Sequence, residues 1–271
     1  MFTHGISGKN ALNNIHSLSN SIQKSFSKIS SGSRLINAAS DPAGLQIASA
    51  MQGQMRGMDA ALGNIQFGKS ALQIADGNLG QIKDSLMRIR DNLVSAANGT
   101  NSAENIAAYD QQIQQDLAGI DQMAASSSMN DLNLLDGSAG TVNIQSGPTP
   151  ADTVSLSSEF AGAASGDLGL GGLTIASSAD AQAAIANVDA AIEQVTAQQG
   201  TIGASANTLE SHENFVMTQK ENTAAAHSRI YDMDIAEASM GLIKEQFQME
   251  ASVKALSMTK NLNMSLLNLL N

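Results

Sequence analysis

The chain contains no cysteine and no tryptophan, and only two tyrosines and three prolines in 271 residues. Without cysteine there is no disulfide framework, no thiolate metal site and no thiol nucleophile. Six phenylalanines complete the aromatic set, so most of the bulk that aromatic rings bring to a core is missing. Ala, Leu, Ile and Met must do the packing, which suits helices laid closely side by side. No run approaches the ~20 apolar residues that a membrane helix needs. The first stretch carries Lys9, Lys24 and Lys28 but no apolar core followed by a small-residue cleavage site. No cleaved secretory signal is therefore expected, and a chain of this kind that leaves the cell uses another route.

Acid and base are segregated. Residues 1–40 hold four basic groups (Lys9, Lys24, Lys28, Arg34) and no acid, whereas residues 101–234 hold 17 acids against only Lys220 and Arg229. A nucleic-acid partner is excluded, because its binding face would be basic and the acidic centre repels phosphate. The acidic middle reads as a solvated surface.

What the chain has in abundance is heptad repetition. Met51, Met58, Ile65, Leu72, Leu79, Leu86 and Leu93 recur every seven residues, with Ala75, Ile82, Ile89 and Ala96 on a second row offset by three. This a/d seam predicts a coiled-coil rod of roughly 85 Å from Asp41 to Asn98. Asp41 caps it, Pro42 takes the first helical position, and Asn98-Gly99 stops it. A second rod follows Ser177-Ser178, with Asp180 as its expected cap. It carries Val188, Val195, Ile202, Leu209 and Val216 at steps of seven, and Ile185, Ile192 and Ala206 beside them. Between the rods, 104–125 reads as a third helix on Ile106, Ile113, Leu117 and Ile120. Residues 126–178 are rich in Gly, Ser, Thr and Asp. Thr141–Ile144 and Thr153–Leu156 predict a hairpin there, with Leu173–Ile175 as a third strand.

Each end of the chain is one amphipathic helix. Ile15, Leu18, Ile22, Phe26 and Ile29 form a seam that stops at Ser30-Ser31-Gly32. Ile235, Leu242, Met249 and Leu256 form another, which shifts to Leu262, Leu266 and Leu269. Neither has a local partner except the other, and a lone helix of this kind is marginal in water. Both ends are expected to be poorly ordered in the monomer and to pack on each other or on neighbouring molecules. The fold expected is mainly α: a long antiparallel coiled-coil helical bundle with a small β-hairpin element and pairing N- and C-terminal helices. Its parts would be a terminal layer of 1–40 with 235–271, and a rod of 41–234 bearing a β element at about 137–176.

No catalytic constellation emerges. His212-Glu213 opens a zinc-protease helix motif, but position 216, where the second His is required, is Val216. The glycines at 166, 169, 171 and 172 lack the Lys-Ser/Thr of a phosphate loop and read as turns. The pairs Asp232/Asp234 and Glu210/Glu213 read as helix caps or solvated groups. No metal, cofactor or enzymatic activity is expected.

Specific blocks nevertheless resemble those of a family. Ser30-Ser31-Gly32-Ser33-Arg34, then Asp41-Pro42-Ala43-Gly44-Leu45 and Ile47-Ala48, look like the N-terminal signature of bacterial flagellin. Leu86–Asp91, Ala96–Asn101 and Ser228–Glu237 are similar to further blocks of that family, and so is the Leu-rich ending. Two departures stand out: Asn37 falls one place later than the family's Arg-Ile-Asn, and Pro42 replaces an acidic or small residue. An Asp-Pro pair resembles the hook-filament junction proteins, which gives one alternative; a secreted coiled-coil binding module is another.

The resemblance implies a minimal flagellin without a separate outer domain, whose paired ends form the inner filament tube. The implied function is a structural subunit that self-assembles into the helical flagellar filament used for swimming motility. It implies an extracellular homopolymer, secreted without a cleaved signal. The family's partners are the flagellar export apparatus, an export chaperone, the filament cap and the hook-junction proteins; no membrane partner is implied. The subunit-packing residues would be the terminal seams, and the rod core the heptad rows. Arg88 matches the arginine with which some flagellins contact an innate immune receptor. Met87, Asn92 and Gln112 differ from the Gln, Leu and Glu of activating members, which implies weak recognition.

Overall fold

The computed structural model describes residues 2–39 and 41–269, with side chains described for 9–39, 41–261, 264 and 265. Five helices dominate: α1 (Phe2–Ser31), α2 (Pro42–Ala96), α3 (Ala103–Ser126), α4 (Ser178–Tyr231) and α5 (Ile235–Leu269). Between α3 and α4 lie β1 (Ser128–Met129), β2 (Leu132–Asn133), β3 (Val142–Gln145) and β4 (Thr153–Leu156). The fold is thus mainly helical, with the terminal helices α1 and α5 packed together and two small two-stranded sheets.

Helix ends follow local chemistry. At α2, Gly44 donates its backbone N–H to Asp41 Oδ1 at 2.9 Å, and Leu45 bonds the Asp41 carbonyl at 3.1 Å. Asp41 is therefore a true N-cap, and Pro42, with no N–H to lose, occupies the first turn at no cost. At the other end Asn101 Nδ2 donates to the Ser95 carbonyl at 2.8 Å, occupying an acceptor the helix leaves open. The cap of α4 is Ser177 rather than the expected Asp180. Ser177 Oγ accepts the Asp180 N–H at 3.2 Å, while Asp180 reaches back to Ser177 Oγ and the Ala176 N–H. A carboxylate three residues after the cap closes the reciprocal box.

Two compact units emerge, 1–55 with 221–271 and 56–220. Their boundaries fall inside α2 and α4, about 15 residues from the expected divisions at 40/41 and 234/235. In the 56–220 unit the heptad rows are the core. Met58, Ile65, Leu72, Leu79, Leu86 and Leu93 are buried, as are Ala75, Ile82, Ile89 and Ala96 and, across from them, Val188, Val195, Ile202, Leu209 and Val216. Each such Val, Leu, Ile or Met side chain contributes about 1.5–3 kcal/mol by leaving water, and each alanine less. Met51, in the other unit, is only half-buried.

The insert lies over this core. β3 and β4 pair antiparallel, Val142 opposite Leu156 and Gln145 opposite Thr153, as the alternation predicts. They approach α2 closely where it carries glycine: a Cβ on Gly57 would stand 3.1 Å from Pro148, and one on Gly68 3.2 Å from Ile144. The β1–β2 hairpin is not predicted from alternation, because each strand has two residues. Its turn, Asn130-Asp131, has φ of 50° and 61°, a conformation that Asn and Asp tolerate best among residues with a Cβ. The expected third strand at Leu173–Ile175 is absent from the described residues. Its backbone is bonded by α3 side chains instead: Gln114 Nε2 donates to the Leu173 carbonyl at 2.6 Å, and Ile175 N–H bonds Asp110 Oδ1 at 2.8 Å.

Candidate functional site

α5 carries apolar side chains on two opposite sides, and this is the chemistry the rest of the fold leaves unused. At 100° per residue, Leu242, Met249 and Leu256 fall on one face. These three are half-buried against α1, whose Ile15, Leu18, Ile22 and Ile29 are half-buried in turn. Ser25 Oγ donates to Glu245 Oε2 at 3.0 Å across the same seam. Met240, Ile243, Phe247 and Met258 fall on the other face and are 51–69% exposed. A helix that is apolar all round belongs in an interior, yet nothing among the described residues of this chain covers the second row. Ile235, placed on the seam by its heptad step, is 56% exposed at the helix start. Phe26 likewise leaves the α1 seam and is 64% exposed, because Ser25, not Phe26, is the residue that meets α5. The side chains of Leu262 and Leu266, and Leu269 after them, lie outside the described residues.

The terminal unit is thin in other ways. Among its described residues only Ser33, Leu35, Gly44 and Ala48 are buried. Backbone bonds tie its two connecting segments: Ser33 bridges Asp232, Arg34 N–H donates to the Tyr231 carbonyl at 2.9 Å, and Met233 N–H donates to the Gly32 carbonyl at 3.1 Å. Gly32, at φ +67°, turns the chain out of α1 into this tie. Arg34 Nη2 adds a bond to the Ile230 carbonyl at 2.9 Å. Asp232 and Asp234, the carboxylate pair of the sequence, are used locally. Asp232 accepts from Ser228 Oγ, and Asp234 Oδ1 caps α5 by accepting the Ala236 and Glu237 N–H groups.

One edge of the rod is a polar row at heptad spacing. Lys69 reaches Glu213 at 2.8 Å, Asp76 accepts from Gln199 at 3.0 Å, Lys83 donates to Gln199 at 3.2 Å and Arg90 reaches Asp189 at 2.6 Å. Lys220 pairs with Asp59 at the far end of the same series. Partner numbers fall on α4 as they rise on α2, so the helices are antiparallel. The Glu213 and Asp189 carboxylates raise the Lys69 and Arg90 pKa values above their ordinary ranges. A second polar cluster pins the insert. Buried Glu159 accepts the Ser157 N–H at 2.8 Å and Ser205 Oγ at 2.5 Å, and Gln198 Nε2 donates to the Glu159 and Ala161 carbonyls. Sequence reasoning passes over both: Glu159 is a single polar residue in an aperiodic segment, and Gln198 stands in α4 seven residues after buried Ala191, where an apolar residue would be expected.

Arg88 lies outside this row, with a side chain 58% exposed that leans on Ser85 Oγ at 2.8 Å and Asp116 Oδ1 at 3.4 Å. Among the described residues no group of three or more His, Asp or Glu is placed to hold a metal, and no helix is long and apolar enough to cross a membrane.

Comparison with known proteins identifies this architecture. The bacterial flagellin N-terminal helical region matches residues 2–140, and the bacterial flagellin C-terminal helical region matches residues 185–270. The chain belongs to the bacterial flagellin family. A flagellin of Halalkalibacterium halodurans is 31% identical over 270 residues, covering 100% of this chain and 99% of that protein. Bacillus subtilis flagellin is 32% identical over 301 residues, covering 98% of each, and a Treponema phagedenis flagellar filament core protein is 30% identical, covering 100% and 99%. The crystal structure of Bacillus cereus flagellin, 31% identical, aligns with a TM-score of 0.52 over 61% of this chain and 94% of that one. A putative flagellar hook-associated protein from Vibrio parahaemolyticus, 13% identical with a TM-score of 0.59, shares the fold over 71% of this chain. This flagellin is a structural subunit of the flagellar filament and not an enzyme, and near full-length matches to compact relatives agree with the lack of a large outer domain.

Proposed function

We propose that this flagellin polymerises by coupled ordering and docking of its ends, with the outer row of α5 as the surface that a neighbouring copy covers. The observation that carries the reading is the pair of opposed apolar faces on α5, one of which has no partner in the chain. On this reading the layer of 1–40 and 235–271 is weakly ordered in the free subunit and becomes the inner filament tube, while 41–234 stays a rod. Burial of Met240, Ile243, Phe247 and Met258 drives assembly, and the ordering entropy of the two ends opposes it. The terminal seams (Ile15, Leu18, Ile22 and Ile29 with Leu242, Met249 and Leu256) set the shape of the docking unit. The interface is heterologous, since a closed ring could not grow.

Family membership supports the finer reading that the subunit leaves the cell through the flagellar export apparatus and works extracellularly. Partners on this route are an export chaperone, the filament cap and the hook-junction proteins. The uncovered α5 row gives a chaperone something to cover. Recognition by the innate receptor through Arg88 is read as weak.

The test is seeded growth followed by electron microscopy. Phe247→Asp with Ile243→Asp should leave monomer helicity unchanged, because neither residue is in the α1 seam, and should reduce filament growth at least tenfold by placing unpaired charge in the interface. Filaments growing at the parental rate would overturn the reading.

A further inference from the structure

Met240 and Met258 stand at the two ends of the outer α5 row, and each is 65% exposed. Eighteen residues separate them, which is five whole turns or about 27 Å, so the two side chains leave the helix along one line. Ile243 and Phe247 lie between them on the same face. A row built this way differs from a row of leucines in one chemical respect: its ends are thioethers, and a thioether sulfur accepts oxygen.

Nothing else in the chain draws an oxidant away from these sulfurs by being softer. Cysteine and tryptophan are absent, which leaves methionine as the side chain a peroxide attacks first. Access then sorts the methionines. Met58 is enclosed in the rod core and Met249 is half-buried in the α1 seam, whereas Met87, Met217 and Met264 are exposed along with Met240 and Met258. Met87 and Met217 belong to the rod, and Met264 falls about 120° from the Met240–Met258 line on α5. Those three can take up oxygen without altering the outer row, so the protein carries its own controls.

We propose that Met240 and Met258 form an oxidative modification site that decides whether a free subunit can dock. The inference rests on the reading that a neighbouring copy covers the outer α5 row, and it adds the chemistry that disables that row. A hydroperoxide gives one oxygen atom to each sulfur: an S–O bond forms, the peroxide O–O bond breaks, and hydrogen peroxide leaves as water. Sulfur loses two electrons and the peroxide gains them. The product is a sulfoxide, a polar acceptor that must shed its hydration when the row is covered. A methionine sulfoxide reductase supplied with a dithiol reverses the step, releasing the oxygen as water while the dithiol becomes a disulfide. Docked subunits hide both sulfurs, so the site acts on subunits that have not yet joined a filament.

The experiment treats the full-length monomer with dilute hydrogen peroxide, maps the sulfoxides by peptide mass spectrometry, removes the peroxide and measures seeded growth. Circular dichroism confirms equal helicity. The parent and a Met87→Leu/Met217→Leu/Met264→Leu control should each slow at least tenfold after treatment, and sulfoxide reductase with a dithiol should restore them. Met240→Leu/Met258→Leu should grow within about threefold of the untreated parent, with or without peroxide. If that variant grows poorly untreated, Met240→Gln/Met258→Gln takes its place. It puts a polar group at both positions and should slow growth at least tenfold with no oxidant; growth at the parental rate would overturn the site. A parent that forms no filaments before treatment would overturn the polymerisation reading itself. A parent oxidised at both positions that still grows at full rate would overturn the modification site alone. A Leu variant as sensitive to peroxide as the parent would place the effect on other sulfurs and overturn the assignment to these two.

Discussion

Ile89 and Val94 sit five residues apart on α2 and should respond differently to the same truncation. Ile89 is fully enclosed by the rod core, whereas Val94 is 50% exposed. Ile89→Ala should cost about 2–5 kcal/mol, the lost transfer of the side chain plus the cavity it leaves. Val94→Ala should fall within about 0.5 kcal/mol of the parent. Urea unfolding followed by circular dichroism reads both. The distinction is legible in the sequence, because Ile89 lies on the row of Ile82 and Ala96 while Val94 lies off both rows. Other residues give no such signal: Glu159 is buried by the fold of an aperiodic segment, and Phe26 is placed on a seam by spacing although Ser25 makes the contact.

At the scale of elements, the ends and turns depend on carboxylates more than on apolar burial. Asp180 at the start of α4, Asp152 in the β3–β4 turn and Asp136 after β2 all have pKa values lowered. The leading causes are hydrogen bonds from Ser177, Thr149 and Ser138 respectively, and His212 adds a smaller attraction at Asp152. A lowered folded pKa means that the charged form is the one the fold holds. Its contribution is complete above the unfolded value of about 3.9 and disappears as pH falls through the lower folded values. Below about pH 4 the insert and the first turn of α4 should therefore loosen ahead of the rod core, seen as faster amide exchange at Thr149 and Ala176. Asp180→Asn should remove the acid dependence at Ala176; an unchanged dependence would refute the assignment. Long elements are legible because heptads repeat enough times to exclude other periods. Two-residue strands hold too few positions for any period, and Leu173–Ile175 has strand-like residues whose backbone is taken by Gln114 and Asp110.

For the whole molecule, the proposed weak recognition by the innate receptor turns on the exposed surface around Arg88. Arg88 is partly occupied by Asp116 and Ser85, and its neighbour Met87 is exposed. A reporter-cell assay should find this flagellin weaker than an enterobacterial one, and equal potency would overturn that expectation. The pairing of the chain ends is legible from two unpartnered amphipathic helices. The second face of α5 is not, because the seven-residue step through Leu242 and Met249 accounts for one row and hides another. Met240 and Phe247 take the same step two places earlier, which puts them on the opposite side of the helix.

The scarcity of aromatic residues has an experimental use. Tyr109 belongs to the 56–220 unit, half-buried against its core, and Tyr231 belongs to the terminal unit, stacked on His227 with ring centroids 5.0 Å apart. With no tryptophan to mask them, these two phenols are the only long-wavelength emitters the chain possesses, one for each unit. Tyr109→Phe leaves a protein whose ultraviolet emission comes from the terminal unit alone, and Tyr231→Phe leaves one that reports the rod. The ordering of the ends during growth can thus be followed in real time without attaching a dye.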